Sequence, residues 1–226
     1  MHRGYVLHSK PYRENSVLVK LLVDGLGRVD AVARLGSGKR SVKGIVQPFQ
    51  PLLFELYGRG ELQTLRQLES ASPAVPLTGD ALYAAIYLNE LLVRALKQVQ
   101  SGEALFVAYH QTLMALAREF SQPPLRFFEL SLLDELGCLP SLTHDANGMA
   151  VERDACYRWL PEAGFIQGEG MFPGRLLLGL AIRELDDKDW GYAKRLTRLL
   201  LQPVLGDKPL VSRQLFQARG SQSNQA

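Results

Sequence analysis

Cysteine is scarce in this sequence: Cys138 and Cys156 are the only two in 226 residues. That excludes a small disulfide-stapled scaffold and suits a reducing, cytoplasmic setting. Seventeen residues separate them, with His144 between, so neither has the close partner that a structural zinc site uses. The expectation is no metal, with both thiols read as small buried apolar groups. Long apolar runs are missing as well. No stretch approaches the roughly 18 apolar residues of a membrane-spanning helix. The start, Met1-His2-Arg3-Gly4-Tyr5, lacks the apolar core of a secretion signal.

The four histidines, His2, His8, His110 and His144, are scattered and neighbour no nucleophile motif. No pattern for hydrolysis, hydride transfer or phosphoryl transfer is present, so the chain reads as a non-enzyme without cofactor. A strong charge of one sign is also lacking, the formal net being +3. Its distribution says more. Residues 1–80 carry eleven Lys and Arg against seven Asp and Glu, while the remainder carries fifteen against sixteen. A polyanion-facing domain beside a neutral one gives this pattern.

What is present changes period near residue 76. Gly4 to Ser9 and the β-branched run Ser16 to Val23 read as strands, followed by a turn at Asp24-Gly25-Leu26-Gly27. Arg28 to Arg34 alternates, with Val29, Ala31 and Ala33 on one face. Phe49 to Tyr57 and Leu62 to Glu69, separated by Gly58-Arg59-Gly60, complete five short strands. A five-stranded OB-fold barrel is the commonest closed solution for such a set.

Beyond Ala74-Val75-Pro76, apolar residues recur at helical spacing. Helices are predicted from Thr78 to about Gln98, from Ala104 to Phe120, and from Pro123-Pro124 to a stop at Gly137. Two more cover Arg175 to Leu185 and Lys188 to Leu205. The expected fold is therefore α+β. An OB-fold DNA-binding domain spans 1–76 and a helical domain 77–220, with an irregular insert at about 139–173 and a frayed tail at 221–226.

The segment Leu35 to Gly44 is the most chemical-looking stretch. Its glycines allow close backbone approach to phosphate, and Lys39, Arg40 and Lys43 supply three cations in five residues. It is not a nucleotide-binding P-loop: Ala33 stands where the first Gly belongs and Arg40 where a Ser or Thr belongs. Arg28, Arg34 and Arg59 add charge around the same domain, and Tyr12, Phe49 and Tyr57 are candidates to stack on bases. Phe49 lies in an apolar run and reads as core.

In the helical half, Lys194, Arg195 and Arg198 share a helix face, for which a plain solvated surface is an equal reading. Arg126 lies in a first helical turn beside Phe127 and Phe128, where a cation gains nothing from the helix dipole. It could receive the carboxylate of an acidic, apolar peptide tail, or form a salt bridge to Glu129 or Glu90. Asp186-Asp187-Lys188-Asp189 reads as an acidic helix start. Besides a DNA-binding role, two rivals stand: a protein-interaction adaptor with incidental DNA binding, and an enzyme using the near-P-loop.

Several fragments together resemble the RecO family. They are Gly4 to Ser16, Gly27-Arg28-Val29, Lys39-Arg40-Ser41, Gln47-Pro48-Phe49 and Gly58-Arg59-Gly60-Glu61 in the first half. Tyr87 to Leu92, Leu125 to Leu130, Lys194-Arg195-Leu196 and Lys208 to Arg213 follow in the same order. The resemblance covers nearly the whole chain. It implies an N-terminal OB-fold, a helical C-terminal domain, and a bacterial, nucleoid-associated DNA repair and recombination mediator. Such a protein binds single- and double-stranded DNA, anneals complementary strands and helps load recombinase. Its implied partners are RecR and the acidic C-terminal tail of single-stranded-DNA-binding protein, the latter placed at Arg126, Phe127 and Phe128. Many family members carry a four-cysteine zinc site in the insert. This sequence has His144 and Asn147 there instead of a close cysteine pair.

Overall fold

The computed structural model describes residues 1–38, 41–96 and 103–215. Its N-terminal strands are β1 (His2–Pro11), β2 (Ser16–Val23), β3 (Gly27–Arg34), β4 (Pro51–Tyr57) and β5 (Leu62–Ser70). They close into a barrel in the order β1-β2-β3-β5-β4, with β1 returning to β4. Only β3 and β5 run parallel; the other neighbours are antiparallel. This is the expected OB-type barrel, and the contact that closes β3 on β5 is short, Asp30–Val32 against Leu62–Thr64.

Strict alternation builds it. Along β3, Gly27, Val29, Ala31 and Ala33 are buried while Arg28, Asp30, Val32 and Arg34 face outward. Val19, Leu21, Val23, Leu52, Phe54 and Leu65 fill the same core. Gly4 is there for space: a Cβ at this position would lie 2.8 Å from both the Leu22 carbonyl oxygen and the Phe54 ring. Gly4→Ala should therefore destabilise the barrel by about 2 kcal/mol, the usual scale for overpacking. Urea unfolding would show a lower midpoint at unchanged slope. An unchanged midpoint would mean that the Phe54 ring moves aside freely.

Helix α1 (Gly79–Ala95) and helix α2 (Glu103–Arg118) follow. Thr78 occupies the N-cap of α1, as expected, but its side chain makes no capping bond. The two helices bind β1 at its bulge. The β1–β2 register shifts between Val6 and His8, skipping Leu7. The Leu7 carbonyl accepts instead from Asn89 Nδ2 at 3.1 Å, and the buried Tyr109 hydroxyl donates to Asn89 Oδ1 at 2.5 Å. Tyr5, also on β1, packs edge-on against Tyr109 and hydrogen-bonds His110. Burial pushes the Tyr5 phenol up to about 12.

These contacts explain where the compact units divide. The chain leaves the barrel near residue 76, but the first unit runs Met1–Ser121 and takes in the segment from Asp207. That returning segment is clasped by α1. The Glu90 carboxylate accepts from the backbone N–H groups of Val211 and Ser212, and Arg94 donates to the carbonyls of Lys208 and Pro209. Burial raises the Glu90 carboxyl, but the bonds from Ser212 and Val211 and the charge of Arg94 together lower it from its ordinary value.

The second unit is Gln122–Gly206. Helix α3 (Gln122–Glu135) stops where expected: Gly137 takes φ 65°, and the Cys138 N–H bonds back to the Leu133 carbonyl. The insert folds as a small antiparallel sheet in the order β7-β6-β8, from β6 (Cys156–Leu160), β7 (Gly164–Gln167) and β8 (Phe172–Pro173). Helices α4 (Gly174–Ile182) and α5 (Trp190–Leu205) complete the unit. Asp189 does more than favour a helix dipole: it is buried and holds the Arg175 guanidinium through two bonds of 3.0 and 3.1 Å.

One sequence expectation is corrected here. Cys138 and Cys156 are free and exposed, not buried. Cys138 follows the turn that ends α3, and Cys156 opens a strand whose next residue, Tyr157, takes the inward position. Among the described residues, no three His, Cys, Asp or Glu gather in a way that could hold a metal, and no helix is long and apolar enough to cross a membrane.

Candidate nucleic-acid interface

Pairing register places one outward residue from each barrel strand in a single row. Lys10 on β1 lies opposite Leu18 on β2, Leu18 opposite Val32, Val32 opposite Thr64, and Thr64 opposite Tyr57. Lys10 and Tyr57 are exposed at the two ends, with Leu18, Val32 and Thr64 half-buried between them. At about 4.8 Å per strand, the row spans roughly 19 Å around the barrel. It combines a cation, an apolar floor and an aromatic ring.

Exposed Arg34, opposite Ser16, and exposed Arg66, opposite Glu55, stand beside the row on the same face. Lys20, opposite Asp30, lies on its other side. Arg66 lies over the Tyr57 ring, 4.3 Å from its centroid. The Tyr57 hydroxyl donates to Glu55 at 3.0 Å, and that bond raises the phenol above its ordinary value.

The strand directions sort the residues singled out from sequence. β1 and β3 finish at one end of the barrel, which gathers Tyr12, Arg34 and the start of the 35–50 loop. The Tyr12 N–H bonds the Ser16 carbonyl, the Leu35 N–H bonds the Asn15 carbonyl, and the Val42 N–H bonds the Leu35 carbonyl. Tyr12 is half-buried with the Arg13 guanidinium 5.1 Å from its ring centroid, and Lys43 is exposed. Lys39 and Arg40 lie outside the described residues. Arg59 is exposed in the β4–β5 turn at the opposite end, where β5 begins beside Asp30. Phe49 is buried, as expected.

Arg28 has a different occupation. Its guanidinium bonds both Asp30 oxygens and donates to the carbonyls of Val93 and Leu96, at 3.1 and 2.6 Å. Those are carbonyls at the C-terminal end of α1, which lack intrahelical donors and carry the negative end of the helix dipole. A cation there caps the helix.

The second candidate site also sorts itself. Arg126 is buried, paired with Glu129 at 3.0 Å and bonded to Thr197 Oγ1 at 3.2 Å. The ion pair offered from sequence as the alternative is thus present. The Arg126 Nε has no acceptor among the described residues. Phe128 is core, while half-buried Phe127 stacks edge-on against Trp190 at 5.7 Å. The exposed cation beside Phe127 is Arg183, which lies 5.7 Å from the ring centroid and donates to Ser131 Oγ. Sequence reasoning missed Arg183, Lys10, Lys20 and Arg66. Alternation along β2 is a signal that could have marked Lys20 as outward, but the others needed register or tertiary contact. Lys194, Arg195 and Arg198 are all exposed on α5.

The barrel order and its outward row define an OB-type domain joined to a helical unit. Comparison with known proteins finds two family models in succession along the chain. The model described as recombination protein O N terminal matches residues 1–74, and recombination protein O C terminal matches residues 76–214. DNA repair protein RecO of Yersinia pestis strain Pestoides F is 45% identical over 223 residues, covering 95% of this chain and 92% of that protein. Its counterpart in Yersinia enterocolitica serotype O:8 matches to the same extent. The chain belongs to the RecO family of DNA repair proteins.

Proposed function

We propose that this chain is a non-catalytic mediator that binds single- and double-stranded DNA, anneals complementary strands and helps load recombinase onto coated DNA. The observation that carries the reading is the five-strand outward row, Lys10 to Tyr57, flanked by Arg34 and Arg66. It presents phosphate-seeking cations and a base-sized ring without any groove-reading element, which suits sequence-independent contact. Neutralising phosphates on two strands lowers their repulsion and lets complementary bases meet. Tyr12, Arg34, Lys39, Arg40, Lys43 and Arg59 are assigned to the DNA; Arg28 serves the interface by holding α1 to β3.

The second unit is assigned to the acidic tail of single-stranded-DNA-binding protein. Phe127 and the exposed Arg183 offer an apolar edge beside a cation, as an acidic, apolar peptide needs, with the buried Arg126 next to Phe127 in the chain. RecR is the other partner assigned, and the setting is the bacterial cytoplasm on nucleoid DNA.

The deciding experiment is annealing of two complementary oligonucleotides, bare and coated with single-stranded-DNA-binding protein, across a salt series. Acceleration that weakens with salt and survives coating supports the reading; no acceleration on either substrate removes it. Titrations should show affinity falling with salt at a log–log slope of about −0.7 per phosphate contacted. The double variant Arg34→Ala/Lys43→Ala should flatten that slope by about 1.4 units and weaken binding alike on all sequences. A change confined to some sequences would instead assign these side chains to base reading.

A further inference from the structure

Tyr57 ends the outward row, and among the described Phe and Tyr rings of the barrel it is the most exposed, at 44%. It adds nothing to the barrel core, yet two side chains, one on its own strand and one on the next, hold it in place. Glu55 and Arg66 are direct cross-strand partners. Glu55 tethers the ring at its hydroxyl, while the Arg66 guanidinium carbon lies over one face, 4.3 Å from the ring centroid. A guanidinium on an aromatic face occupies the position that a nucleobase takes when it stacks.

We propose that Tyr57 is the base-stacking platform of this barrel and Arg66 its displaceable cover. When single-stranded DNA enters the row, a base takes the ring face and the Arg66 guanidinium moves from the ring to an adjacent phosphate. The cation is not lost in this exchange; it trades one anion-like face for a full negative charge. Glu55 is a positioning residue that keeps the ring from turning with its cover removed. Duplex DNA presents its bases already stacked and paired, so it gains from Arg66 but not from Tyr57. The subsite therefore discriminates single from double strands. The inference rests on the barrel being the DNA interface.

The test is fluorescence anisotropy of the full chain with three labelled probes of equal length: oligothymidylate, a strand of abasic spacers, and a duplex. Wild-type protein should bind oligothymidylate more tightly than the abasic strand. Tyr57→Ala should lose affinity for oligothymidylate within the roughly 5- to 150-fold that one stacked base is worth, and be unchanged on the other two probes. Tyr57→Phe should retain most of the affinity. Arg66→Ala should weaken all three probes, since it removes a phosphate contact. Tyr57→Ala that binds oligothymidylate like wild type, or that weakens the abasic strand equally, would overturn the platform while leaving the interface standing. Wild-type protein that binds none of the probes would instead overturn the interface reading beneath it. Far-UV melting of each variant separates loss of binding from loss of fold.

Discussion

Asn89→Ala should destabilise the barrel unit by about 3–4 kcal/mol. Asn89 is 5% exposed and bonds two buried groups at once: its amide nitrogen donates to the Leu7 carbonyl, and its amide oxygen accepts from Tyr109. The Leu7 carbonyl lies at the β1 bulge, where the β1–β2 ladder passes it by. Removing the amide strips this carbonyl of its donor in a dry interior, at about 1–3 kcal/mol for such a group. The acceptor of Tyr109 goes too, and the cavity left by the side chain adds its own cost. The bulge needs this partner because a barrel strand that skips a register must satisfy the skipped backbone elsewhere. Thermal unfolding should show a midpoint about 10 °C lower, and amide exchange should quicken around Leu7 and His8. Tyr109→Phe removes only the hydroxyl that bonds Asn89 Oδ1 and leaves the Leu7 bond in place, so it separates the two bonds. Wild-type stability in Asn89→Ala would mean that water replaces the amide on both sides.

Local rules made much of the fold readable. β2 was legible to the residue because Ser16 to Val23 is β-branched, apolar and bounded by turn residues on both sides. The end of α3 was legible because Gly137 is the residue that adopts a positive φ there at least cost. The candidate site was legible in its charges and not in its geometry. Alternation along β3 exposes Arg34, but nothing in the linear sequence places Arg66 over Tyr57. That contact depends on the β4–β5 register, with a bulge between Leu53 and Glu55 setting which residues face each other. Arg28 shows the same limit from the other side. Its sequence neighbours make it a phosphate contact as plausible as Arg34, and only the arrival of α1, some 65 residues later, claims its donors. Phe127 and Phe128 are adjacent and alike in sequence, yet helix geometry turns one to the core and the other toward Trp190.

Arg126→Met should cost the second unit about 3–4 kcal/mol, and Arg126→Met/Glu129→Leu should recover most of it. Glu129 is fully buried, with the Arg126 guanidinium 3.0 Å away as its charge partner. Taking the cation away leaves a carboxylate in an apolar interior without that compensation, which typically costs about 3–5 kcal/mol. Replacing both charges with apolar groups of similar size removes the desolvation penalty along with the attraction, so the pair as a whole is worth little. Urea unfolding of the two single variants and the double gives the coupling directly. A double variant as unstable as Arg126→Met would place the loss in lost contacts of the Arg126 side chain, including its bond to Thr197. The cycle also rescues the functional test. Arg126→Met alone would lose tail-peptide affinity simply by loosening the unit, whereas the recovered double variant lacks the cation on a sound fold. Weaker peptide binding by the double variant assigns the peptide carboxylate to Arg126. Undiminished binding assigns it to Arg183, whose exposed guanidinium lies against Phe127 and, among the described residues, bonds the Phe127 carbonyl and Ser131 Oγ.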